Sequence, residues 1–87
     1  MDISSELKKA IKENNAVIGT ERTVKALKTG KLVKVYLSSN CPARVKADIE
    51  TYSRMTNAAV ETLSVPNDEL GVICKKPYSI SVLGLKA

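Results

Sequence analysis

The sequence predicts an α/β fold in which one sheet lies between layers of helices. Helical and extended segments alternate four times along the 87 residues, and such alternation is typical of a sheet that is covered by helices. Residues 32–38 (LVKVYLS) are almost continuously apolar, which suits a central strand covered on both faces. A chain of this length can build one modest core. We therefore predict a single domain over residues 1–87.

Two helices and a short strand are predicted ahead of that central strand. Over residues 3–13, apolar side chains recur at helical spacing and lysines take the other side, which predicts an amphipathic helix. A short apolar strand follows at residues 16–18. Thr20 can cap a second helix, which runs to about residue 29 and closes at Gly30 in the left-handed conformation.

The third helix is predicted to open at the motif Asn40-Cys41-Pro42. Proline is preorganised for the first helical turn, so Asn40 or Cys41 would lie at or beside the cap. The weakly alternating residues 58–63 (AAVETL) predict the third strand. A turn through Pro66 should follow it, because no helix continues through such a proline.

The last part of the chain predicts one more helix and one more strand. Residues 67–74 (NDELGVIC) favour a short helix, since two acidic residues lie in its first turn, where the helix dipole favours negative charge. Residues 75–77 are expected to form a loop. The apolar residues 78–85 (YSISVLGL) predict the fourth strand.

The composition excludes several classes of site. The chain has no histidine, so a Ser-His or Cys-His catalytic arrangement is impossible and an enzyme would have to depend on carboxylates or lysines. Its two cysteines form no CxxC pair, so no metal-binding pattern is present. We therefore expect two reduced thiols, no metal, no other cofactor and no enzymatic activity.

The charge balance points to a class of partner. Fourteen Lys and Arg against nine Asp and Glu leave a net charge of +5, which favours a polyanion such as RNA, although a solvated basic surface has the same total. No apolar run approaches the roughly 20 residues that cross a bilayer, and the charged N-terminal segment is unlike a signal peptide. We expect a cytoplasmic protein with no membrane partner.

Residues 19–31 (GTERTVKALKTGK) carry the clearest chemistry. Arg22, Lys25 and Lys28 are spaced by three residues, which keeps them within a stripe of about a third of a helix circumference. The helix start also offers unpaired backbone N–H groups, which bind phosphates readily. The segment is either a phosphate grip or a solvated helix face. It lacks the spacing of a nucleotide-binding P-loop.

Two further connections are expected to open at the same end of the sheet, one at Asn40-Cys41 and one at residues 75–78. Tyr78 follows two lysines, so its ring can stack on an unpaired base while the lysines hold phosphate. Alternatively, Tyr78 shields the rim of the core and Asn40 is only a helix cap. The expected convergence of three connections favours RNA binding.

Three segments resemble, in order and spacing, the L-thirty-e family of archaeal and eukaryotic large-subunit ribosomal proteins: GTERTVKALKTGK, SSNCPARVKADIETYSRMT and NDELGVICKKPYSISVL. The most specific patterns are Gly-x-x-x-Thr-Val-Lys from Gly19, Asn-x-Pro from Asn40, Ile-Glu-x-Tyr from Ile49 and Glu-Leu-Gly from Glu69. The resemblance covers residues 3–85. This family belongs to a wider group of ribosomal and guide-RNA proteins that bind kink-turn RNA, an internal loop that bends the duplex sharply.

The resemblance implies a three-layer α/β/α sandwich with four helices and a four-stranded mixed sheet. It implies that Gly19 allows close approach to the RNA backbone, that Thr23 and Lys25 contact phosphates and base edges, and that Asn40 contacts the RNA from the second loop. It also implies that Tyr78 packs against a base. The full predicted RNA-binding set is Gly19, Thr20, Glu21, Arg22, Thr23, Lys25, Lys28, Asn40, Asn67, Lys75, Lys76 and Tyr78.

One difference from the wider group indicates which branch of it the chain resembles. Many kink-turn-binding proteins carry Asn-Glu where this chain has Glu21-Arg22, which favours the ribosomal branch over the guide-RNA branch. Phosphates would repel the Glu21 carboxylate unless it accepts from a base amino group or turns toward Arg22 or Lys25.

We therefore predict a structural protein of the large ribosomal subunit, in the cytoplasm, that binds a kink-turn-type internal loop of ribosomal RNA. It is expected to be monomeric when free and to have neighbouring ribosomal proteins as further partners. An alternative in the same class is a kink-turn-binding protein of guide-RNA particles or ribonuclease P. An alternative in another class is a protein-binding adaptor on the same fold.

Overall fold

Four helices alternate with four strands in the predicted order. The protein is described by a computed structural model that covers residues 3–86. Its elements are α1 (Ile3–Lys12), β1 (Ala16–Ile18), α2 (Thr20–Lys28), β2 (Leu32–Leu37), α3 (Ala43–Thr56), β3 (Ala59–Thr62), α4 (Asn67–Ile73) and β4 (Val82–Lys86). The predicted α/β class is confirmed. No helix in this part of the chain is long and apolar enough to cross a bilayer.

The strands form one mixed sheet in the order β1-β4-β2-β3. β4 is antiparallel to both β1 and β2, whereas β2 and β3 are parallel. β2 is therefore an inner strand, as its nearly continuous apolar character predicts. β1 and β3 are the two edge strands.

The core is divided between the two faces of the sheet. Tyr36 of β2 packs on one face with Leu7 of α1 and Leu70 of α4, all three fully buried. Val35 of β2 lies on the other face in the cluster that contains Leu27 of α2. Because successive strand residues point to opposite faces, one strand serves both clusters. The three-layer α/β/α sandwich is confirmed.

Tyr36 also carries a polar network across the α1 side of the core. Its hydroxyl donates to Glu6 Oε1 of α1 at 3.0 Å. Lys34 Nζ lies 4.7 Å from the centroid of the Tyr36 ring and 3.5 Å from Glu61 Oε1 of β3. Burial raises the pKa of Tyr36 above 10.0, and the Tyr36 side chain in turn raises the pKa of Lys34 above 10.5.

The start of the fourth strand differs from the prediction. β4 begins at Val82 and not at Tyr78. The residues before it form other hydrogen bonds: Ile80 N–H donates to Asn67 O at 3.0 Å, and Ser81 O accepts from Ser38 N–H at 2.9 Å. The apolar pattern marks residues that are buried, but here this burial is against α4 and not within a ladder.

The predicted cap of α2 is also wrong. Gly19, not Thr20, is the N-cap residue of α2, with φ of 106° and ψ of 149°. Pro42 is the N-cap residue of α3, so Cys41 lies beside this cap as predicted, and neither helix has a side-chain cap. Gly19 can adopt a positive φ without the strain that a side chain would suffer, and Asn40 directs its side chain to another loop, described below. Gly30 does have the expected left-handed conformation, with φ of 73°.

Candidate nucleic-acid interface

Four connections meet at one end of the sheet. Since β1, β2 and β3 run in one direction and β4 in the other, the carboxyl ends of the first three lie beside the amino end of β4. Gly19 N–H donates to Val82 O at 3.1 Å, and Ser39 N–H donates to Val65 O at 2.8 Å. The predicted convergence of the three connections is confirmed. The β3–α4 connection joins them.

The β1–α2 connection presents a helix start at this end. Thr23 N–H donates to Gly19 O at 3.0 Å, which is the first bond of the helix. The N–H groups of residues 20–22 precede that bond, and no side chain caps them. They are the unpaired donors that a helix start offers to an anion.

Thr23 does not contribute a surface contact. It is fully buried, and its hydroxyl donates to the carbonyl oxygen of Val17 at 3.2 Å. A Cβ atom added at Gly84 of β4 would lie 3.2 Å from Thr23 Cγ2, so α2 packs closely on the sheet here. The prediction that Thr23 contacts RNA is therefore corrected: its hydroxyl and methyl group hold α2 against β1 and β4.

The three cations of α2 do not share one surface. Arg22 and Lys25 are exposed and line a common depression with Lys31. Lys28 turns toward α3, where its Nζ lies 4.8 Å from the centroid of the Tyr52 ring. A spacing of three residues advances steadily around a helix, so the third cation reaches a different neighbour. Only Arg22 and Lys25 therefore share the surface on which all three cations were expected.

A groove of about 460 Å³ follows the free edge of β1. Arg22 of α2 and both Lys76 and Tyr78 of the α4–β4 loop line it, so cations and an aromatic ring from two connections share one surface. Asn14 and Lys86 also border this groove, and they were not predicted. Lys86 reaches the groove only because β4 pairs with β1, whereas Asn14 borders it because it lies just before β1 in the chain.

Asn40 links two of the four connections. Its Oδ1 accepts the backbone N–H of Asn67 at 2.8 Å, and its Nδ2 donates to Asn67 Oδ1 at 3.1 Å. Asn40 therefore caps α4, the helix after β3, and not α3, which it precedes in sequence. Asn40 itself is exposed and Asn67 is half-buried, so the paired amides lie at the surface.

The α4–β4 loop presents Tyr78 at the same end. This side chain is 53% exposed, which leaves ring surface free to stack on a base. A Cβ atom at Gly71 of α4 would collide with the carbonyl oxygen of Tyr78, so close packing on a glycine sets the position of this loop. Lys75 is exposed, Lys76 is half-buried, and Lys75 has a left-handed backbone with φ of 57°.

Glu21 is exposed on the first turn of α2. Within residues 3–86 the one side-chain ion pair joins Lys34 to Glu61, so Glu21 does not pair with Arg22 or Lys25. Of the two arrangements predicted for Glu21, the intramolecular pairing is therefore not formed in the free protein. Thr20 is half-buried at the start of the same helix.

Comparisons with known proteins identify relatives along the whole chain. The family described as "Ribosomal protein L7Ae/L30e/S12e/Gadd45 family" matches residues 1–87. The large ribosomal subunit protein eL30 of Methanothermobacter thermautotrophicus is 36% identical over 83 residues, which are 95% of this chain and 85% of that protein. The eL30 protein of Sulfolobus acidocaldarius is 36% identical over 80 residues, which are 92% of this chain and 77% of that protein.

A solved structure supports the same fold. A protein of unknown function from Bacillus halodurans superposes with a TM-score of 0.87 at 25% sequence identity. The superposition covers 97% of this chain and 83% of that chain. The sandwich of helices and sheet is therefore shared over nearly the full length.

Proposed function

Since this chain belongs to the ribosomal protein L7Ae/L30e/S12e/Gadd45 family, we propose that it is a structural protein of the large ribosomal subunit and binds a kink-turn-type internal loop of ribosomal RNA. Its relatives carry the name of a large-subunit ribosomal protein. The proposed role is binding without a catalytic step, in the cytoplasm, by a single RNA-binding domain over residues 1–87 that is monomeric when free.

The observation that carries the proposal is the groove shared by Arg22, Lys76 and Tyr78. Cations and unpaired helix N–H groups suit phosphates, whereas an exposed aromatic ring suits an unstacked base. A kinked internal loop offers both features together, because bases turn out of the stack where the backbone bends. A regular A-form duplex offers phosphates but few exposed base faces.

The proposed contacts divide by chemistry. Gly19 lets the RNA backbone approach the first turn of α2, where the N–H groups of residues 20–22 are free. Arg22, Lys25, Lys75 and Lys76 bind phosphates, and Tyr78 stacks on a base. The amides of Asn40 and Asn67 donate to and accept from the RNA while they hold two loops together. In this proposal Glu21 accepts a hydrogen bond from a base amino group. Lys28, which turns toward Tyr52, contributes positive charge only at the edge of the RNA-binding surface.

The proposal is tested by titrating the protein with a kinked RNA and with a straight duplex of the same length, each at several salt concentrations. We expect tighter binding to the kinked RNA. The logarithm of affinity should fall steeply with the logarithm of salt concentration, by about 0.7–0.9 per phosphate contact. Equal affinity for the two RNAs would overturn the proposal.

A second candidate is the protein-binding adaptor, and one observation favours it. Val72 on α4 is 75% exposed, and Tyr78, in the loop that follows this helix, is 53% exposed. Exposed apolar surface of this kind can mark a protein contact. Weak RNA binding with a flat response to salt would support this alternative.

A further inference from the structure

A cluster of four lysines lies beside the groove, between α1 and the end of α4. Lys8, Lys12, Lys75 and Lys76 border a depression of about 310 Å³ whose remaining lining is Ile11 and Cys74. Lys8 and Lys12 belong to α1 and have no part in the contacts proposed above. The cluster is therefore a feature that the proposed function leaves unexplained.

No carboxylate of residues 3–86 borders this depression. Glu6 of α1 is directed to the Tyr36 hydroxyl, and Glu13 borders a different depression together with Lys9. The carboxyl ends of α1 and α4 contribute about half a negative charge each, which leaves a local charge of about +3. This excess of positive charge makes the depression attractive to an anion.

The backbone of Lys75 supports the same conclusion. Lys76 N–H donates to Gly71 O and Lys75 N–H donates to Val72 O, both at 3.0 Å, which is the hydrogen-bond pattern that closes a helix with a left-handed residue. Glycine is favoured at that position, and a side chain there costs roughly 1–2 kcal/mol. A lysine at this position in the chain adds a fourth cation to the cluster at the expense of stability.

The cluster is continuous with the groove. Lys76 borders both the depression and the groove, and Arg22 borders both the groove and the depression that contains Lys25. We call this continuous surface the basic band; the cations that border it are Lys8, Lys12, Lys75, Lys76, Lys86, Arg22, Lys25 and Lys31. Tyr78 lies near its middle. The band therefore extends away from the proposed kink site in two directions.

We propose that Lys8 and Lys12, at the α1 end of the basic band, bind the sugar-phosphate backbone of one helical arm that leaves the kink. This inference rests on the proposed function and assigns a second contact to the same RNA. Lysine acts on phosphate as a point charge, and none of the residues around the depression is aromatic. The contact is therefore with phosphates and independent of base sequence.

The test compares two RNAs with the same kink, one with long arms and one with both arms trimmed to a few base pairs. The variant is Lys8→Ala/Lys12→Ala. The control is Lys9→Ala/Lys46→Ala, which removes the same charge from α1 and α3 at exposed positions outside the basic band. Alanine favours helix more than lysine, so both variants should fold, and circular dichroism checks this.

We expect the Lys8→Ala/Lys12→Ala variant to bind the long-armed RNA on the order of tenfold more weakly, with a salt slope smaller by about 1.5. Its affinity for the trimmed RNA should equal that of the wild type. The control variant should bind both RNAs within about twofold of the wild type, since distant exposed charges are screened.

The outcomes separate this inference from the proposed function. If the wild type does not prefer kinked RNA to straight duplex, both fail. If that preference holds but the two variants bind the long-armed RNA equally well, only the assignment of the arm fails. Equal losses on the long-armed and trimmed RNAs would also overturn the assignment, because the lysines would then act at the kink.

Discussion

The side chain of Asn40 pairs with Asn67, 27 residues further along the chain, through two hydrogen bonds of 2.8 Å and 3.1 Å. One of these bonds satisfies the first backbone N–H of α4, which has no partner within the helix. The pair therefore fixes the β2–α3 connection against the β3–α4 connection. Two loops that are expected to meet the RNA are held in one relative position before the RNA arrives.

Substitutions at Asn40 should separate its effect on stability from its effect on binding. Asn40→Ala removes both bonds and should lower the free energy of unfolding by about 1 kcal/mol. Asn40→Asp keeps the acceptor for Asn67 N–H at a helix start that favours negative charge, so it should be less destabilising. Its charge should nevertheless weaken RNA binding more than alanine does. Urea unfolding and RNA titration measure the two effects; an aspartate as destabilising as alanine would contradict this explanation.

Gly71→Ala should displace the Tyr78 segment of the proposed RNA-binding surface. The new methyl group would collide with the carbonyl oxygen of Tyr78, and overpacking of this kind costs about 1–3 kcal/mol. Because the Tyr78 segment must move, preference for kinked RNA should fall as well. Gly30→Ala is the matched control. It introduces strain at a positive φ but meets no atom within 4 Å and lies at the other end of the sheet, so it should cost stability and leave RNA preference unchanged.

Lys25→Ala and Tyr78→Ala should differ in what they remove. Loss of the exposed Lys25 cation should weaken binding to kinked and straight RNA alike and reduce the salt slope by about 0.7–0.9. Loss of the Tyr78 ring should instead cost about 1–3 kcal/mol on kinked RNA and leave the slope unchanged. Lys46→Ala on α3 is the charge-matched control. If both Lys25→Ala and Tyr78→Ala bind like the wild type, the site assignment is wrong, whatever the fold.

Tyr36→Phe should change the response of stability to alkali. The folded-state pKa of Tyr36 lies above 10.0 chiefly because the phenol is buried, so the unfolded chain releases this proton first as the pH rises. The resulting stability is complete below pH 10 and is lost as the pH rises through the folded-state pKa. The raised pKa of Lys34 acts in the same direction above 10.5 and depends first on the Tyr36 side chain.

The phenylalanine variant should therefore be less stable at pH 8, since the bond to Glu6 is absent, and should lose less stability between pH 9.5 and 11. Urea unfolding at a series of pH values measures both effects. Parallel curves for the variant and the wild type would show that Tyr36 does not control the alkaline decline.

Local patterns predicted the elements but not all of their ends. Apolar periodicity located four helices and four strands, and the continuous apolar run identified β2 as an inner strand. The same pattern placed the start of β4 at Tyr78, because an apolar residue buried against a helix has the same hydropathy as one in a strand. Thr23 was misassigned for a related reason: a hydroxyl that binds phosphate and one that binds Val17 O are identical in sequence.

The sequence by itself determined the order of elements, the family and the excess of positive charge, since periodicity, motif spacing and composition are properties of the chain alone. Only the tertiary structure decided which cations lie together on one surface. The pairing of β4 with β1 places Lys76 and Tyr78 beside Arg22. Successive positions rotate around α2, so Lys28 contacts Tyr52 on α3 instead. The packing of α1 against α4 places Lys8 and Lys12 next to Lys75 and Lys76. Charges separated by dozens of residues become one surface only through those long-range contacts, which no local pattern records.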